Sequence, residues 1–162
     1  MTAESLMIDQ DDAADADLLL QEYDFPENFL NMAHPEDGII KANPITPEFI
    51  RHSRRGHFRM LVRISLRLGD NRFVPFTFMC DTGAPIHIYL SEPALVVLEK
   101  AGRIGTDELG SLFVTIDGRK AAIRVTPHTH QPGNILGMLM LERLGLQMTD
   151  GSFSFSSPAP YL

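Results

Sequence analysis

Between residues 58 and 68 the chain alternates with a period of two. Phe58, Met60, Val62, Ile64, Leu66 and Leu68 fall on one face, and Arg59, Leu61, Arg63, Ser65 and Arg67 on the other. Such a period builds a half-buried strand. Gly69, Asp70 and Asn71 supply turn chemistry, and a second strand over residues 72–80 completes a hairpin. Pro75 marks an irregular or edge position near its start, since proline cannot donate to a ladder. Residues 86–90 form another short apolar run. Ser91, Glu92 and Pro93 then read as a helix start, with Ser91 as N-cap, Pro93 in the first turn and Gly102 as the stop. That helix is expected to bury Leu95, Val96 and Leu98, with Val97 beside them. Residues 112–116 and 120–125 flank Asp117-Gly118, a strong hairpin dipeptide. Residues 127–133 read as a loop. Residues 134–144 run apolar into a short helix closed by Gly145, and Phe153 and Phe155 alternate with serines in a last strand. Six or more strands and one or two short helices predict an all-β fold, a small closed sheet or barrel.

Residues 1–50 do not share this pattern. They hold twelve acids and one base, Lys41, whereas the other 112 residues hold thirteen bases and nine acids. The net charge of -7 therefore belongs to the N-terminal part. Residues 3–21 have apolar points for an amphipathic helix, but the like charges from Asp9 to Asp17 oppose it. Pro26, Pro35, Pro44 and Pro47 punctuate the segment and disfavour helix before each. The division expected is an acidic, largely irregular arm over residues 1–50 and a domain over residues 51–162. The arm reads as a solvated tail or as an element that docks on the domain and restrains it.

The basic run at residues 51–59 has one aromatic, Phe58. Such runs can touch nucleic acid or act as a nuclear address. Here it reads as a solvated junction or a partner for the arm, and no nucleic-acid partner is expected. A single cysteine, Cys80, excludes an internal disulfide and a zinc-ribbon ligand set. No apolar run approaches the roughly 20 residues that cross a bilayer, and the N-terminus is acidic where a signal peptide is basic and then apolar. A reducing, cytoplasmic setting without membrane contact is expected, with the nucleus the alternative that the basic run leaves open. His128 and His130 find no third ligand at a metal-binding spacing, so no metal and no cofactor is predicted. His87 reads as a surface or packed imidazole. Cys80 reads as a small buried residue, with a redox-sensitive thiol as the alternative.

The chemistry concentrates in residues 76–84, FTFMCDTGA. An apolar strand delivers Asp81 into Thr82-Gly83, where the missing side chain of Gly83 permits a sharp turn. An Asx turn is the purely structural reading of the same residues. Further on, Asn134-Ile135-Leu136-Gly137 leads into the apolar MLMLERLGL, and its glycine fits a buried strand passing close behind a turn. In this order, the two motifs and the helix between them make residues 58–155 resemble the retropepsin-like aspartic proteases of retroviruses, retrotransposons and their cellular relatives.

The resemblance implies an acid-protease barrel with Asp81 as the catalytic aspartate. It implies that the Thr82 hydroxyl reaches to the opposite active-site loop and that Gly83 and Ala84 complete the loop. Ile135, Leu136 and Gly137 would support it from behind, and Ala84, Ile104 and Gly105 would contact substrate. The terminal strand at residues 153–156 would interleave with a second subunit. Retroviral members carry acids after the motif and an arginine after the supporting glycine. Pro85, Ile86 and Met138 stand in those places, as in relatives of the retrotransposon type, which also lack that pair. One Asp-Thr-Gly supplies one carboxylate where the chemistry needs two, so a homodimer acting on a peptide or protein substrate is implied. The flap that closes over substrate falls to residues 102–111, a short segment with little apolar pattern. A catalytically weak or inactive dimerisation or adaptor module is therefore the second expectation.

Overall fold

The computed structural model describes residues 34–54, 57–130, 133–158 and 160–162. The amphipathic reading of residues 3–21 and most of the acidic arm lie outside the described residues. The described chain is mostly β, with ten strands and two α-helices. β1 (Glu48–Arg54) and β2 (His57–Gly69) are antiparallel, and β3 (Arg72–Asp81) completes the hairpin predicted around residues 69–71. β4 (Ile88–Leu90) leads to helix α1 (Glu92–Lys100). β5 (Gly105–Thr106), β6 (Leu112–Ile116) and β7 (Arg119–Val125) follow, then β8 (Asn134–Gly137) and helix α2 (Met138–Leu144). β9 (Leu146–Thr149) and β10 (Ser152–Phe155) form a separate two-stranded sheet.

The turn chemistry works as its residues predict. Ser91 caps α1 by accepting from the Ala94 N–H, with proline in the first turn. Asp117 and Gly118 both take positive φ between β6 and β7, and Gly145 ends α2 in the left-handed region. Helix α1 buries Ala94 and Leu98, with Leu95 and Val97 packed at the edge of the core. Val96 is exposed, contrary to expectation. Five apolar residues in succession, from Ala94 to Leu98, cannot all face one side of a helix, and Val96 points away from the core.

The eight-stranded sheet runs β1-β2-β3-β8-β4-β7-β6-β5. It is not closed: β1 and β5 stand at opposite ends of the order, and β5 has only two residues. β8 inserts between β3 and β4, parallel to β3 and antiparallel to β4, while β4 and β7 are parallel.

β2 departs from its half-buried expectation, because residues 61–66 are buried on both faces. Val62, Ile64, Leu66 and Leu68 join Val74, Phe78 and the apolar sides of both helices in the main core. Leu61, on the opposite face, joins Met79, Ala84 and Ile135 in a second cluster. Further along that face sit Arg63 and Ser65, both buried. Burial leaves these polar groups in need of partners, and remote parts of the chain supply them. Arg63 pairs with Glu48 at 2.9 Å, Ser65 Oγ accepts from the Ile45 N–H at 3.0 Å, and Ser65 O accepts from the Leu162 N–H at 2.9 Å.

Further contacts of this kind reach residues on either side of position 50. Residues 34–50 are tied to the sheet: Asp37 accepts from the Thr77 hydroxyl at 2.6 Å, Lys41 bridges to Phe73, and β1 begins at Glu48. In the basic run, residues 51–54 of β1 pair with residues 57–60 of β2, with Arg51 over the Phe153 ring and donating to Gly151 O at 2.7 Å. Cross-strand pairing turns what reads as a junction into part of the sheet.

Candidate functional site

β3 ends on Asp81 and β8 ends on Gly137, and the parallel register sets these two residues side by side. The chain then leaves Asp81, folds back over the end of β8, and enters β4. Gly137 donates its N–H to His87 O at 2.9 Å. A β-carbon at Gly137 would fall on the Ile86 carbonyl oxygen and lie 2.8 Å from that of Ala84. Only glycine lets the loop pass so close, since the obstructing atoms are backbone and cannot rotate away. This close approach is the physical content of the Ile135-Leu136-Gly137 pattern. Leu136 is fully buried in the main core and Ile135 in the second cluster, so β8 joins the two cores under the loop.

Within the loop, Asp81 Oδ1 accepts from the Gly83 N–H at 2.9 Å, and Ala84 donates to Asp81 O at 3.2 Å. The Asx turn is therefore present. It fixes one carboxylate oxygen and leaves the other free of a turn role. Asp81 is half-buried, Thr82 and Gly83 are exposed, and Ala84 is buried against Leu61, Met79 and Ile135. A rigid anchor thus carries an accessible carboxylate. Asp81, Gly83, Ala84 and Pro85 line an open cleft of about 260 Å³ whose other walls are Tyr89, Pro127, His130 and Ile135.

Tyr89, Pro127 and His130 were not legible as site residues. Tyr89 reaches the cleft because β4 pairs with β8, setting Tyr89 opposite Ile135. Pro127 and His130 belong to the segment just before β8, where a 3-10 turn spans His128–His130. Only the strand order brings them to Asp81.

Ile104 and Gly105 lie elsewhere. Ile104 packs against the main core, and Gly105 sits in β5 beneath the Phe113 ring. The sheet order separates β5 from β4 by β7 and β6. Residues 102–111 close on themselves: Asp107 Oδ1 accepts from the N–H groups of Leu109 at 2.9 Å and Ser111 at 2.8 Å. Thr106, Asp107, Leu109 and Phe113 line a different cavity. The terminal strand pairs with β9, and Phe153 and Phe155 pack on Phe49 with ring centroids 6.1 and 4.8 Å away.

Burial pushes the Cys80 thiol up to about 12. A thiol so disfavoured as thiolate is a poor nucleophile and a poor redox sensor. His87 is a packed imidazole whose Nδ1 accepts from the Ala122 N–H at 3.2 Å. Burial, and secondarily the Arg143 charge, lower its pKa, so the ring is neutral at neutral pH. Among the described residues, no three His, Cys, Asp or Glu side chains cluster as metal ligands, and no helix is long and apolar enough to cross a membrane. No family model matches the chain, and neither a curated protein nor a solved structure matches it.

Proposed function

We propose that the chain is one half of a retropepsin-like aspartic endopeptidase, with Asp81 from each of two copies forming the catalytic pair. The observation that carries this reading is the loop over Gly137: it holds a half-buried carboxylate at a strand end, in a cleft, on a backbone packed closely against β8. One such carboxylate is insufficient. Two of them brought together cannot both ionise, so the pair holds one proton between them. The ionised partner takes a proton from water, and the water oxygen forms a bond to the peptide carbonyl carbon. The protonated partner gives its proton to the carbonyl oxygen. The resulting gem-diol collapses as the C–N bond breaks and the amine nitrogen takes a proton, with no covalent enzyme adduct. Thr82 is exposed beside Asp81, and in this reading its hydroxyl would contact the second copy. Such a pair works with one carboxylate ionised and one protonated, so activity peaks below neutral pH with a bell-shaped profile.

The test is cleavage of an unfolded peptide library by the full chain below pH 7. Wild type cleaves, and Asp81→Asn cleaves at least about a hundredfold more slowly, as expected for loss of an acid-base group. Equal cleavage by the two overturns the proposal. The self-closed segment 102–111 favours a second reading, a dimerisation or adaptor module with the same fold and little catalysis, because nothing from that segment lines the Asp81 cleft. Dimerisation without any Asp81-dependent cleavage is the result that selects it.

A further inference from the structure

Behind the loop that carries Asp81 lies a second cavity, of about 560 Å³, with His87, Arg119, Leu139, Glu142 and Arg143 on its walls. Its charges are poorly compensated. Arg63 and Arg67 have carboxylate partners at 2.9 and 2.7 Å, but among the described residues neither Arg119 nor Arg143 has one within 4.0 Å. Arg143 Nη2 donates to Lys120 O at 2.8 Å, which fixes the guanidinium, while Nη1 is buried and has no hydrogen-bond partner among the described residues. Burial, and secondarily the neighbouring Arg119 charge, lower the Arg143 pKa. Because His87 Nδ1 is occupied by the Ala122 N–H, the proton of the neutral ring sits on Nε2. The pocket therefore gathers two guanidinium groups and one imidazole N–H. Leu139, 46% exposed, adds an apolar wall, and Glu142 is the one acid among the described residues that line it.

We propose that this pocket binds a phosphate monoester, with the phosphate held by Arg119 and Arg143 and the ester's apolar group against Leu139. Guanidinium forks match the tetrahedral dianion in bidentate geometry, which a lone ammonium does not. The cavity lies within the range of about 300–1,000 Å³ typical of small-molecule sites, larger than a bare anion requires. A dianion also relieves the repulsion between the two arginines, and its second charge offsets the presence of Glu142. This inference does not rest on the reading of Asp81.

The experiment is a calorimetric titration of the full chain with phenyl phosphate at pH 7.5 and low salt. Saturable one-site binding is expected. Arg119→Gln, at an exposed position, weakens it at least tenfold, and Arg143→Gln does so in a chain whose unfolding midpoint is checked in parallel. Benzoate, which has the same ring but a monoanionic carboxylate, binds at least tenfold more weakly. Non-saturating heats, affinity unchanged by Arg119→Gln, or equal affinity for benzoate overturns the proposal.

Discussion

Two glycine-bearing segments, residues 81–87 and residues 102–111, each turn on an aspartate side chain but differ in what passes against them. The first is shaped by a strand more than fifty residues downstream: Gly137 makes room for it, binds its last carbonyl, and fixes where Asp81 stands. The second is anchored at its start by Arg103, which donates to Arg67 O and Thr115 O, and by Ile104 on the main core, while its tip is closed locally by the Leu109 and Ser111 N–H groups on Asp107. A segment closed by long-range backbone contact has its chemistry positioned by the whole sheet. A tip closed locally, as at residues 107–111, keeps its shape wherever the sheet carries it, and here the sheet carries it to the far edge from Asp81.

The largest effect expected from this difference is at Gly137. Gly137→Ala drives a β-carbon into two carbonyl oxygens and should cost about 3 kcal/mol or more in chemical denaturation, the upper range of overpacking. Gly83→Ala is the control. Its β-carbon meets only Asp81 Oδ1, at 3.3 Å, so a change within about 0.5 kcal/mol is expected. Equal costs at the two positions break the comparison.

Cys80, beside Asp81, gives the next effect. Its thiol has an ordinary value of 9.0 and a folded one of about 12, raised by burial. Alkylation by iodoacetamide at pH 8 should be about a thousandfold slower in the native chain than in the denatured one, since three pKa units set the thiolate ratio. The unfolded thiol ionises first, so the stability this group contributes is full below pH 9.0 and is lost as pH rises towards 12. Cys80→Ala should remove that part of the alkaline slope, and a native thiol that alkylates at the denatured rate contradicts the burial.

The smallest effect is at Asp107. Asp107→Ala removes the acceptor for Leu109 and Ser111 and should cost about 1 kcal/mol, typical of a lost turn cap. Amide resonances of Ala84 and Tyr89 should stay in place, because neither residue touches that hairpin. Their displacement would show that the two segments are coupled.

How far the sequence could be read follows the same division. Alternation and turn residues located the β2–β3 hairpin, the Ser91 cap, the Asp117-Gly118 turn and the Gly145 stop, because each is decided within a few residues. The close approach at Gly137 was also legible, since a glycine after two bulky apolar residues in a buried strand has few other uses. Burial of Arg63 and Ser65 was not, because their partners Glu48, Ile45 and Leu162 arrive from both ends of the chain. Tyr89 and His130 stayed hidden in the same way. No local pattern records that β8 inserts between β3 and β4, and it is this insertion that builds the cleft around Asp81.

That Asp81 is half of a pair is tested most directly by mixing subunits. Peptide cleavage is followed as Asp81→Asn chain is added in increasing excess to a fixed amount of wild type, with time for exchange. A pair formed from two chains predicts that activity falls steeply with added mutant, because each mixed dimer keeps only one ionisable carboxylate. Activity that stays at the wild-type level across the excess would contradict the account.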